Sequence, residues 1–342
     1  MASTGYTDIR YAAVDLRGDE ANRLLFEAVF QNESWGDFMS DFYIDGTIPA
    51  GGSRKMLLIG EMDAPLRLSA GCNDEETATL KSSSRKLNTE IVGGLVGLCL
   101  EDYSRSIYNE MKTAGMLGLS GDARGHFIFQ ALLERFKQAM QKQVVANAYF
   151  GDMANGSSTF NLCDGIFSVL LPVAQGEGMP VVSGYGGSAL QLGDAIEMLT
   201  EMKEAQTVEL YGVADSEKWF KVSRAVMDRL TRDLRDGMKG SDLFGSIIID
   251  GIKVPTFDGI PIKVFAEFDK LWKDVKGLDY GNLAILCANN NLQMGTDGSN
   301  PDAQLQTFYD ARSNKTFARQ KTSFGFNYAQ AKLMVAAFNI PN

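Results

Sequence analysis

"HFIFQALLERFKQAMQKQVVANAYF", residues 126–150, runs for 25 residues without glycine or proline in a chain of 342 that holds 35 glycines. Phe129, Leu132, Leu133, Phe136, Met140 and Val144 recur at three- and four-residue intervals and share one face, with Glu134, Gln138, Gln141 and Lys142 opposite. The spacing predicts one helix, roughly 37 Å long at about 1.5 Å per residue. Asp122 is placed to cap its start and Gly151 to end it. Phe127, Val145 and Tyr149 fall on the otherwise polar side, so the tips are expected to be covered all round and the middle on one side only. Periodicity alone also fits an ordinary core helix of an α/β protein.

Upstream of the helix, residues 56–103 hold two apolar runs, MLLIG and EIVGGLVGLCLEDY, on either side of the polar stretch NDEETATLKSSSRKLN. Two strands joined by a long polar excursion at 73–90 is the expectation, and an excursion of that length implies a segment that reaches outward. Residues 1–60 read as an irregular arm with a helix near 19–30. Downstream, residues 191–205 and 215–236 carry helical stripes, the second with Asp215 or Ser216 as N-cap, and TVELYGV between them reads as a short strand. IIIDGIKVPTFDGIPIKVFAEFD reads as a meander with turns at Asp250-Gly251 and Asp258-Gly259. LAILCA, 283–288, is a buried strand, and Asn289, Asn290 and Asn291 form a polar turn after it. In the final stretch Phe324, Phe326 and Tyr328 alternate on one side of an extended segment that returns to a sheet begun early in the chain, leaving the middle block as an insertion.

The formal charge of −10 disfavours a protein that grips a nucleic-acid backbone, which needs clustered Lys and Arg. No apolar run approaches the roughly 18 residues that span a bilayer, and no secretory leader is legible at the start. Cys72, Cys99, Cys163 and Cys287 are scattered and fit buried thiols rather than disulfides or a zinc site. His126 is the one histidine, and it reads as a helix-entry residue rather than a proton carrier.

The best enzyme-like signal is VVSGYGGSALQLGDAIEML, where Gly184, Gly186 and Ala189 satisfy G-x-G-x-x-A and Glu209 stands where a ribose-binding acid would. The strand before it is short and opens at Pro180, so this cytoplasmic dinucleotide-enzyme reading is the alternative. Asp250, Asp258, Glu267 and Asp269 read as solvated turn and strand-end carboxylates rather than a metal cluster. No catalytic, cofactor-binding or metal residue is assigned, and no cofactor.

Several phrases resemble the major capsid proteins of tailed bacteriophages, the Hong Kong 97 fold: FDGIPIKVFAEFD (257–269), NLAILCANNNLQMGTDG (282–298) and TFARQKTSFGFNYAQAKLMVAAF (316–338). The resemblance spans about residues 20–338. It implies an α+β fold with an N-terminal arm (1–55), an extended E-loop and flanking P-domain strands (56–103), a P-domain with spine helix 126–150 (104–154), a mixed α/β A-domain (155–305) and return strands of the P-domain (306–342). It implies a structural protein, not an enzyme, that assembles in a bacterial host's cytoplasm as hexamers and pentamers of itself into an icosahedral virion shell around double-stranded DNA. Portal and possible scaffolding or decoration proteins would be its partners, DNA would lie against it without specific binding, and no membrane would be involved. A nanocompartment subunit is another self-assembling reading. A fused scaffolding prefix has no room, and no Lys–Asn crosslinking pair is matched to this sequence.

Overall fold

The computed structural model describes residues 38–62, 80–99, 136, 138–154, 156, 159–236, 244–249, 252–265, 267–277, 279–297, 305–310 and 315–338. The predicted helix at 19–30, Asp122, His126, residues 126–135 of the long helix and the Asp250-Gly251 turn lie outside the described residues.

The strands form three sheets. A five-stranded sheet runs β1 (Tyr43–Asp45), β11 (Leu292–Thr296), β13 (Lys315–Tyr328) and β12 (Leu305–Asp310), with β4 (Glu90–Cys99) on the other side of β13. A seven-stranded mixed sheet runs β5 (Val181–Val182), β14 (Met334–Ala337), β10 (Ala284–Ala288), β6 (Lys218–Ser223), β9 (Ile260–Phe265), β8 (Ile252–Phe257) and β7 (Phe244–Ile249). The third sheet is the two-stranded ribbon β2 (Ser53–Met62) and β3 (Leu80–Asn88).

The predicted long helix is present as α1, residues 138–150 with Phe136 also helical. Residues 145–150 are buried all round, as expected for a covered tip. Gln141, placed on the polar face by its spacing, is buried. Gly151 ends the helix: its N–H donates to the Asn147 carbonyl (2.8 Å), and a β-carbon there would lie 2.2 Å from the Cys163 carbonyl oxygen. The buried Asn147 amide is used in full, donating to the Gln143 and Thr159 carbonyls and accepting from the Leu162 N–H.

Residue alternation separates two cores on opposite faces of the seven-stranded sheet. Trp219, Ile285, Cys287, Met334 and Ala336 face a cluster shared with α1 and with Phe324, Phe326 and Tyr328 of β13. Phe220, Val222, Ala284, Leu286, Val335 and Ala337 face the other cluster, under helices α3 (Asp194–Glu204) and α5 (Arg224–Arg235). The short α2 (Leu171–Gly176) precedes them, and α4 (Val208–Tyr211) lies between them. The chain passes between the two large sheets at 289–291 and again at 329–333. Asn291 ties these crossings: its carbonyl accepts from the Ala329 N–H, and its side chain exchanges both bonds with the Gln330 backbone (2.9 and 3.0 Å).

The β7–β8–β9 meander forms as read. Asp258 and Gly259 both take positive φ (46° and 83°), the backbone that a two-residue hairpin turn of matching twist demands. β13 does return to the early strand β4 over ten paired residues.

Three expectations are corrected. The polar stretch is not a simple connection between two apolar strands, because its second half is itself strand β3, which pairs with β2, while β4 pairs with β13. TVELYGV is a helix, α4: Thr207 accepts from the Leu210 N–H as its N-cap, and only Leu210 is buried. Residues 215–236 are not one helix but a 3-10 turn, the wholly buried strand β6, and α5 capped by Ser223. Within the sheets, β11 joins β13 and β14 joins β10.

Candidate assembly surfaces

The most unusual element is the ribbon. β2 has 10 residues, roughly 30 Å at about 3.3 Å per residue, and pairs only with β3 among the described residues. An isolated two-stranded ribbon is marginal in water, because half of its hydrogen-bonding edges and one or both faces stay wet.

Its base is held firmly. Where the chain turns from β3 into β4, residues 87–89 cross over the five-stranded sheet at Gly295 and Gly325, which stand opposite each other in the β11–β13 ladder. Paired residues point to the same face, so two glycines make a trough. A β-carbon on Gly325 would lie 1.8 Å from the Asn88 carbonyl oxygen, and one on Gly295 would lie 2.8–3.2 Å from Ile48, Thr89 and Leu87. Leu87 and Thr89 are buried in the trough, and Thr89 donates its hydroxyl to the Pro49 carbonyl (3.0 Å) and its N–H to Gly52 (2.9 Å).

Arg85, on β3, lies 3.9 Å from the centre of the Tyr328 ring and pairs with Glu177 just beyond α2, which also accepts from the Tyr328 hydroxyl (2.9 Å). Burial and that bond to Glu177 push the Tyr328 phenol up to about 12, so it remains a donor. Asn327 donates to the Lys86 carbonyl (2.8 Å). At the other foot, Asp45 accepts from the Thr47 N–H and hydroxyl (3.0 and 2.7 Å) and pairs with Arg54 on β2. Burial alone would raise the Asp45 carboxyl, but the Thr47 bonds and the Arg54 charge outweigh it and hold it below the usual value.

Two surfaces combine exposed apolar side chains with charge. On β4, even residues turn toward α1, with Gly94 against Phe136, while Ile91 and Leu95 are each 59 % exposed. Their β13 neighbours Arg319 and Lys321 are exposed beside them. On α4, Val208 and Tyr211 are 86 % and 76 % exposed.

The glycine motif does not form a dinucleotide site. β5 is two residues long and α3 begins only at Asp194, after Gly193, so Gly184, Gly186 and Ala189 do not open a helix. The loop is instead bound from below: Asn282 donates to the Tyr185 and Ser188 carbonyls, and the Gly187 N–H is taken by the Tyr280 carbonyl. Glu209 stands on α4 and pairs with Lys332. Of the carboxylates weighed as a cluster, Asp258 pairs with Lys203 and Asp269 accepts from the Ala225 N–H at the start of α5. Among the described residues no group of three or more His, Cys, Asp or Glu is gathered to hold a metal, and no helix is long and apolar enough to cross a membrane.

Sequence reasoning missed one buried polar centre. Asp41 accepts from Tyr149 (2.8 Å), from Lys221 and from Lys263 (2.9 Å), with no exposure of its own side chain. Burial and the Asp41 charge raise the Tyr149 phenol well above its usual range.

No family model matches the sequence, and no curated protein matches it. Solved structures do. The chain is similar to a chain of the capsid of Myoviridae phage XM1 (TM-score 0.52, 10 % identity, covering 89 % of this chain and 91 % of that one). It is similar to a chain from Gordonia phage Cozz (0.50, 15 %, 88 % and 85 %) and to one from the satellite phage P4 procapsid that includes the size determination protein (0.53, 8 %, 94 % and 99 %). The chain therefore has the α+β Hong Kong 97-type capsid fold.

Proposed function

We propose that this chain is a major capsid protein that associates with copies of itself to close an icosahedral phage head around double-stranded DNA. The observation that carries the reading is a fold shared over nearly the whole chain with phage capsid subunits, joined to a two-stranded ribbon that pairs with no further strand among the described residues. A neighbouring copy would pack against the ribbon, and symmetry would repeat that contact until the surface closes. Hexamers and pentamers are the expected units, formed in the host cytoplasm, with portal, scaffolding or decoration proteins as partners. The net charge of −10 suits an inner wall along which packaged DNA slides without being gripped. In this reading the protein's work is association rather than catalysis.

Electron microscopy and sedimentation of the concentrated protein test it. Capsomers, shells or tubes are expected. A species that stays monomeric at every concentration and ionic strength, in the presence of co-expressed phage head proteins as well, overturns the proposal.

A further inference from the structure

Phe38, Met39, Asp41 and Phe42 are all buried, although they precede a three-residue edge strand. Phe38 and Phe42 pack on each other (5.0 Å between ring centres) and, edge-on or tilted, against Tyr149 of α1 and Phe326 of β13 at 5.2–6.3 Å. Asp41 between them reaches Lys221 and Lys263, which are register partners on the parallel strands β6 and β9. Both lysines stand on the core-facing side of that sheet. Lys263 lies over the Trp219 ring (5.1 Å), Lys221 lies over Phe265 (5.6 Å), and the Ser40 hydroxyl accepts from Lys263 (2.9 Å). The next residues, Tyr43–Asp45, then pair with β11 of the other large sheet.

We propose that residues 38–42 are a strap with a carboxylate key, that Lys221 and Lys263 form the socket it enters, and that its seating locks the two large sheets in one fixed orientation. Two ammonium groups side by side under a sheet face repel each other, and the Lys221 group is buried, so the socket is stable only with an anion in it. The strap brings that anion, and the flanking phenylalanines exclude water from it. Because the same five residues run directly into β1, filling the socket also brings β1 to β11. The shell reading is not needed for this inference.

The test is amide exchange on the full-length, unassembled protein. In Asp41→Asn, exchange at Asp41, Phe42 and β1 should accelerate by roughly a hundredfold or more, as expected when a buried pair loses one partner, while amides of β10 stay protected. In Asp41→Leu combined with Lys221→Met, protection of the strap should return, because no uncompensated buried charge remains and Lys263 has a path to water. If Asp41→Asn proves insoluble, the double variant should still fold. Unchanged strap protection in Asp41→Asn overturns the proposal. So does equal loss of protection in β10, which would make the contact one of global stability alone. A double variant that exchanges as fast as Asp41→Asn, or that also fails to fold, overturns the charge-based socket.

Discussion

Gly325→Ala should be the most informative single methyl group in this protein. The added β-carbon would sit 1.8 Å from the Asn88 carbonyl oxygen, where ordinary contacts begin near 3.4 Å. One backbone must therefore retreat from another by about 1.5 Å, and neither is free to do so easily. β13 is held on one side by β11 and on the other by β4, and Asn88 is followed by the buried, doubly bonded Thr89. Overpacking costs about 1–3 kcal/mol where side chains can give way, and a backbone obstacle places this case at the upper end. About 3 kcal/mol corresponds to a fall in melting temperature of roughly 4 °C for a cooperative unit of this length. The matched control is Gly46→Ala, whose β-carbon would meet nothing within 4 Å. Thermal melts of the two variants, followed by particle counts under assembly conditions, give the comparison. Gly325→Ala should melt lower and lose shells because the ribbon leaves its trough at a different angle. If both variants melt and assemble like the unmodified chain, the trough does not aim the ribbon and the account of its base is wrong.

Other outcomes follow from the same geometry. Arg85→Ala should loosen the foot of β3 by about 1–2 kcal/mol, from lost stacking on Tyr328 and a half-screened pair with Glu177; exchange at residues 84–88 should quicken while β10 stays unchanged. Asp45 titrates below its unfolded value of about 3.9, so its contribution is complete above that pH and is lost as pH falls through the folded value; acid should open residues 45–54 in the unmodified chain, whereas Asp45→Asn should exchange there at a rate independent of pH once intrinsic chemistry is corrected. Burial pushes the Cys287 thiol up to about 12 and the Cys163 thiol higher still; peptide mapping after iodoacetamide at pH 8 should find both unmodified in the folded protein and both modified after denaturation.

The parts of this fold that sequence discloses are those whose cause is local. Asp258-Gly259 announces a tight hairpin because its backbone preference needs no distant partner, and the long helix announces itself by period and by the absence of glycine. β6 fails that test. All six of its residues are buried, so K-W-F-K-V-S shows no alternation of polar and apolar types and merges by eye into the helix that follows. Its two lysines are tolerable in a strand buried on both faces because partners arrive from elsewhere, Lys221 meeting Asp41 across 180 residues and Lys218 meeting Gln206 and Asp215. α4 fails in the opposite direction: V-E-L-Y alternates like a strand, yet the Thr207 cap and the Glu209–Lys332 pair fix a helical turn that leaves Val208 and Tyr211 in water.

The ribbon and the strap share a deeper reason for being illegible. β3 reads L-K-S-S-S-R-K-L-N, with too little apolar content to be read as a strand, since a strand is usually recognised by the core it covers. Here the described residues supply little core for it, and what fixes β3 is the trough, Arg85 and the Asn327 bond at its base. The strap is the converse. It is apolar enough to be core, but it stands in a stretch broken by Gly and Pro, and its single carboxylate has meaning only once two lysines more than 170 residues away are brought into register. Both segments draw their order from distant surfaces, one from the far side of its own molecule and the other, on the proposed function, from the next copy.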